Sequence, residues 1–214
     1  MQIDIVSDTV CPWCFIGKRR LARALATRPE IPFEIHWRPY QLDPTIPREG
    51  VERRAYMIKK FGDTPRIAAM GETIRAEGVG EGIDFAMDKI ARSPNTLDSH
   101  RLIRWAGGAG KQDDVVERLF IAYFTQGRDI GDREILAEIA GEAGMDAAAV
   151  RDLLGGDADA AIVEREAGMA NQMGISGVPT FIFDSKMMIS GAREPELLVK
   201  VIDRALQAAP QPAP

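Results

Sequence analysis

Cysteine is almost missing from this chain: 214 residues hold two of them, and only two histidines. A four-ligand structural zinc site would need all four, and His36 and His100 form no ligand-spaced pair, so no metal site is expected. Covalent haem attachment needs a histidine directly after the second cysteine, and Phe15 stands there instead. Long apolar runs are missing too, and none approaches a membrane span. There is no basic block: 27 Lys and Arg face 32 Asp and Glu, a net charge of −5. That balance argues against nucleic acid and against an anionic membrane surface as partners. No internal repeat or low-complexity stretch marks the long middle of the chain. With 45% hydrophobic and 28% charged residues, the composition is that of a globular protein, one domain or one domain with a large insertion.

The two cysteines that are present stand together as Cys11-Pro12-Trp13-Cys14. The run before them, Gln2 to Ser7 and Asp8, alternates as a strand, with Ile3 and Ile5 on one face and Asp4 and Val6 on the other. After them Cys14, Leu21, Ala22 and Leu25 fall on one side of a helix, with Arg19, Arg20 and Arg23 on the other. Cys11 is therefore expected, exposed, at a helix N-terminus, where unpaired N–H groups and the macrodipole favour an anion such as a thiolate. Pro12 is tolerated there, since its missing N–H has no intrahelical partner in the first turn. Residues three apart in that turn can reach one another as a disulfide. Strand, tight turn and C-x-x-C opening a helix is the thioredoxin-like redox pattern. Met1 leads straight into the strand, with no basic and apolar leader, so a cytoplasmic, reducing compartment is expected, and with it a transient, catalytic disulfide.

Phe33 to Arg38 reads as a second strand, an edge strand with Phe33, Ile35 and Trp37 on one face and Glu34, His36 and Arg38 on the other; His36 reads as solvated. A proline-punctuated loop to Gly50 follows. From 51 to 173 the pattern is helical. Helices are expected over Val51–Phe61 and Pro65–Ala76, the latter stopped by Gly78 and Gly80. Ile83 to Ile90 is irregular. A further helix starts at Asn95 as N-cap and carries His100, and others follow up to Met173, with Asp132 capping one of them. Strands return at Gly177–Phe183 and Lys186–Ser190, joined by a turn at Asp184-Ser185, before a last amphipathic helix from Pro195 to Ala208. The order is βαβ, a helical block, then ββα: segments 1–50 and 174–208 form a small α/β domain, 51–173 an all-helical insertion between its second and third strands, and 209–214 a disordered tail.

Cys11-Pro12-Trp13-Cys14, the helical insertion and Gly177-Val178-Pro179-Thr180 opening a late strand together resemble the DsbA family of thioredoxin-fold proteins. Cys11 through Arg20, Trp37-Arg38-Pro39-Tyr40 and Ser93-Pro94-Asn95-Thr96 with His100-Arg101 look like its FrnE-type subgroup, over nearly the whole chain. The resemblance implies a cis Pro179 against the cysteine pair and an exposed Val178 backbone that pairs with an extended substrate, as in strand addition. It implies thiol–disulfide exchange with protein, peptide or small thiols: Cys11 attacks, Cys14 resolves, and Pro12 and Trp13 tune the turn. No cofactor is implied beyond glutathione as a possible co-substrate. Related glutathione transferases of the kappa class and 2-hydroxychromene-2-carboxylate isomerases typically carry serine where Cys11 stands. In them the regions of Asn95 and of Ser190 to Arg193 help form the glutathione pocket, which leaves a glutathione-dependent isomerase or transferase as the alternative. Val178, Thr180, Asn95 and His100 are the substrate-contact candidates. His100 either faces the active-site groove and shuttles protons or packs at the domain interface. Lys18, inside the apolar stripe, either tunes the thiols, neutralises a buried carboxylate or snorkels outward.

Overall fold

The computed structural model describes residues 1–208, so the tail 209–214 lies outside the described residues. The chain opens with β1 (Gln2–Ser7), α1 (Pro12–Ala26) and β2 (Glu34–Pro39). Next come β3 (Val51–Glu52), α2 (Arg53–Phe61), α3 (Thr64–Gly80), a 3-10 turn at Met87–Lys89 and β4 (Arg92–Ser93). Five helices follow: α4 (Leu97–Gly108), α5 (Gln112–Phe124), α6 (Arg133–Glu142), α7 (Ala147–Gly155) and α8 (Ala160–Gln172). The chain closes with β5 (Thr180–Phe183), β6 (Met187–Ser190) and α9 (Pro195–Gln207). Among the described residues no helix is long and apolar enough to cross a membrane.

The main sheet has the order β2-β1-β5-β6, with β1 and β2 parallel and the other pairs antiparallel. β2 is an edge, as its alternation requires. A parallel pair needs a crossover, which α1 supplies, whereas β5 and β6 close by a tight turn at Asp184 and Ser185, both at positive φ. In β1, Ile3 and Ile5 join the main apolar cluster with Phe15, Leu21 and Ile202, while Val6 on the other face packs with Ala170 and Ile175. Both faces of this central strand are therefore covered.

Several boundaries differ from the sequence expectation, each for a tertiary reason. Val51 and Glu52 pair with Ser93 and Arg92 before α2 begins; Gly50 turns the chain at φ 73, and Glu52 then caps α2 through the Arg54 and Ala55 amides. Gly78 does not stop α3. It is a packing glycine, since a Cβ there would stand 2.5 Å from the Phe85 ring. The late strand begins at Thr180 rather than Gly177. Thr96, not Asn95, is the residue that precedes α4, though the Asn95 Oδ1 accepts the Leu97 amide at 2.9 Å.

Arg20, placed on the outer face of α1 by the helical pattern, is buried. Its guanidinium donates to Glu81 at 3.1 Å, Glu77 at 2.5 Å and the Ala192 carbonyl at 2.6 Å, and it pairs with Glu194 at 2.9 Å. Ala22, expected inside, is exposed. The helix thus rolls so that one edge carries Phe15, Ile16 and Ala24 into the apolar core and another carries Arg20 into a pocket of carboxylates. Phe15 stacks on Phe120 at 5.1 Å between ring centroids and meets Phe85 edge-on at 6.1 Å, which ties the cysteine-bearing helix to the helical block.

Candidate active site around Cys11 and Cys14

Cys11 is the N-cap residue of α1, with extended φ −94 and ψ 111 and no side-chain capping bond. The amide of Cys11 donates to the Asp8 carbonyl and that of Cys14 to the Cys11 carbonyl, each at 3.0 Å, which folds Asp8 to Cys14 into a tight turn out of β1. An N-cap side chain is the one that first-turn amides can reach, so the Cys11 sulfur stands at the mouth of the helix, where those N–H groups point. Pro12 follows at the first helical position, and Trp13 packs against the main core. Both cysteines are free thiols.

Contrary to the exposed nucleophile expected from sequence, Cys11 is only 5% exposed. The segment before β5 stands over it, with the Val178 carbonyl 3.6 Å from the Cys11 Sγ. The Val178–Pro179 peptide bond is cis. Gly17, one turn into α1, makes this approach sterically open: an added Cβ would lie 2.9 Å from the Pro179 Cγ and 3.1 Å from the Phe181 ring. The one signal of Gly17 in the sequence is a glycine on the buried side of a helix.

Cys14 is 1% exposed. Burial pushes its thiol well above the ordinary value, and the neighbouring Cys11 adds to the rise; the nearby Ser7 hydroxyl and Asp8 backbone work the other way. In the sequence Ser7 and Asp8 carry no signal beyond the strand that they close. Asp8 is wholly buried, its Oδ2 accepting the Leu42 amide at 2.7 Å.

His100 and Asn95 stand around this turn rather than on the cysteines. The His100 Nε2 is 2.9 Å from the Tyr40 carbonyl and 3.4 Å from the Asp8 Oδ1. A carbonyl can only accept, so Nε2 carries the proton. Next to it, the Thr9 and Ser99 hydroxyls meet at 2.8 Å, so α4 is clamped to the cysteine loop. Asn95 is used structurally, donating to the Ile46 carbonyl at 2.6 Å and accepting from Gln41 at 3.2 Å. Thr180, a substrate-contact candidate by sequence, is wholly buried: its hydroxyl donates to the Gly177 carbonyl and meets the Ser190 hydroxyl, both at 2.8 Å. It braces the Gly177–Pro179 segment and presents no hydroxyl outward. Lys18 turns away from the thiols and pairs with Asp113 at 2.9 Å and Glu117 at 3.1 Å on α5. His36 lies on the solvent side of β2 beside Glu34 at 3.1 Å. Among the described residues no three His, Cys, Asp or Glu side chains come together as a metal-binding group.

A buried dithiol at a helix mouth under a carbonyl-bearing segment is an arrangement for exchanging one disulfide at a time. The whole chain has relatives built the same way. A probable DsbA oxidoreductase from Streptomyces coelicolor is 30% identical, superposes with a TM-score of 0.90, and is covered to 93% by all of this chain. The uncharacterized protein YwbO of Bacillus subtilis is 27% identical over 94% of this chain and 96% of its own length. A 2-hydroxychromene-2-carboxylate isomerase, 16% identical with 97% of each chain covered and a TM-score of 0.72, has the same fold. Residues 2–203 match the DSBA-like thioredoxin domain, and the chain belongs to that family.

Proposed function

We propose that this protein is a thiol–disulfide oxidoreductase of FrnE-like type, acting in the cytoplasm on protein, peptide or small-molecule thiols and disulfides. The observation that carries this reading is Cys11 at the N-cap of α1, three residues before the buried Cys14 and 3.6 Å beneath the Val178 carbonyl. Cys11 as thiolate attacks one sulfur of a substrate disulfide and releases the other as a thiolate. Cys14 then attacks the Cys11 sulfur of the mixed disulfide, expels the second substrate thiolate, and leaves the Cys11–Cys14 disulfide; the reverse sequence donates it. The S. coelicolor relative, a probable DsbA oxidoreductase, supports the same chemistry.

The test is equilibration across glutathione redox buffers, with thiols trapped and species counted by intact mass. The expected result is loss of two hydrogens mapping to Cys11 and Cys14 with a defined midpoint, abolished by Cys11→Ser. A pair that stays reduced throughout while glutathione binds non-covalently would move the assignment to a glutathione-dependent isomerase or transferase.

A further inference from the structure

Resolution of a mixed disulfide requires Cys14 to lose its proton while 1% exposed. That proton needs a route out, because an aprotic interior gives it nowhere to go. The Ser7 hydroxyl is near enough to the sulfur to favour its thiolate. Ser7 lines a small cavity of about 10 Å³, room for roughly one water. His100 lines the same cavity, together with Thr9 and, from α5, the apolar Val116 and Phe120. His100 also lines a second space, an open cleft of about 600 Å³ between β2, α4 and α8. Among the described residues it is a titratable side chain that lines both the chamber it shares with Ser7 and a cleft open to solvent.

Its chemistry suits the position. The Nε2–H is engaged by the Tyr40 carbonyl at 2.9 Å, with the Asp8 Oδ1 at 3.4 Å on the same nitrogen. That carboxylate oxygen is buried and has no hydrogen-bond partner of its own among the described residues. Nδ1 is left as the acceptor, and a second proton on the ring places positive charge beside the waiting carboxylate, the logic by which a buried aspartate serves a general-base histidine. The other ionisable groups lining these spaces are Arg38 of β2, itself bonded to Asp4 at 2.6 Å, and, in the cleft, His36, Arg104, Asp159 and Glu166.

We propose that His100 is the proton-relay residue of the resolving step: its Nδ1 takes the Cys14 proton through the Ser7 hydroxyl and the cavity between them, and the ring releases it to the cleft. The Cys14 thiolate so formed attacks the Cys11 sulfur, the Cys11–substrate bond breaks, and the substrate thiolate leaves; the cysteines are oxidised and the substrate disulfide is reduced. This inference rests on the dithiol reading above.

The experiment separates the two steps. Reduced protein is mixed in a stopped-flow instrument with an aromatic disulfide whose thiolate is coloured, so attack by Cys11 releases one equivalent and resolution by Cys14 a second. His100→Gln, which keeps a donor for Tyr40, should leave the first phase unchanged and slow the second by roughly 10²-fold at neutral pH. The deficit should shrink as pH rises, when hydroxide removes the proton directly, and added imidazole should restore part of the rate. Ser7→Ala, which leaves the α4 contacts intact, should slow the second phase alone and carries the test if the histidine variant does not fold. A second phase within about twofold of the parent in the folded variants, or both phases slowed equally with no imidazole rescue, overturns the relay. Absence of any second phase in the parent protein would instead defeat the dithiol reading.

Discussion

Cys14 keeps its proton where an ordinary thiol would lose it, because burial disfavours the thiolate and the adjacent Cys11 adds to that. The folded state then binds this proton more tightly than the unfolded chain. Its contribution to stability is therefore present in full below the ordinary value of 9.0 and lost progressively as pH rises above it. Urea unfolding of the reduced protein between about pH 8 and 10 should show this decline, and Cys14→Ser should flatten it. Parallel curves for the two proteins would count against a buried, protonated Cys14. Gly17 carries the second prediction at this scale. Gly17→Ala forces a Cβ to within 2.9 Å of the Pro179 Cγ, against a braced segment rather than a loose side chain end. It should cost roughly 1–3 kcal/mol and slow disulfide exchange, measured by unfolding and by the coloured-thiolate assay. Unchanged stability and rate would mean the segment yields freely. Neither effect is visible in a helical wheel: the cysteines and Val178-Pro179 are legible as a motif, but Ser7, Asp8 and Gly17 matter through what folding brings against them.

At the scale of elements, α1 is held at both edges. The apolar edge was readable from Cys14 and Leu21, while the charged run Arg19-Arg20 hid a division of labour. Arg19 stays near the surface with Glu117, and Arg20 enters a pocket where the Glu81 side chain is 3% exposed. Replacing Arg20 by Met should cost roughly 1–3 kcal/mol, because the buried Glu81 carboxylate loses one of its two cationic partners and keeps only Arg23, at 3.0 Å. Arg20→Met combined with Glu81→Leu should regain most of that loss. A single variant losing less than about 1 kcal/mol in urea titration would show that Arg23 alone satisfies Glu81. The network spans α1, α3 and the residues ahead of α9, partners far apart in the chain, and for that reason periodicity alone assigned Arg20 to solvent.

Across the whole molecule one apolar cluster runs from Ile3, Phe181 and Ile202 in the sheet portion through Phe15, Phe120 and Phe124 to Leu136 and Val150 in the helical block. Unfolding should accordingly be a single transition, with tryptophan fluorescence and far-ultraviolet circular dichroism coinciding. Phe15→Ala should shift both signals together by roughly 3–5 kcal/mol. Separate transitions would show that the helical block folds as an independent unit.

What the amino-acid sequence by itself determined is everything local: the C-x-x-C turn at a helix mouth, the alternating strands, the capping residue Asp132, the turn at Asp184-Ser185, and the βαβ, helical, ββα order that resembles the DsbA family. These depend on neighbours within a few positions, where spacing and residue type carry the physics. The tertiary structure alone decided that Cys11 is covered by the Val178 carbonyl, that the Thr180 hydroxyl is taken up by Gly177 and Ser190, that Arg20 is buried, and that His100 lines both the chamber it shares with Ser7 and the open cleft. Each of those outcomes depends on groups tens of residues apart in the chain, and burial, which sets their charge and reach, does not exist until the sheet and the helical block have closed on one another.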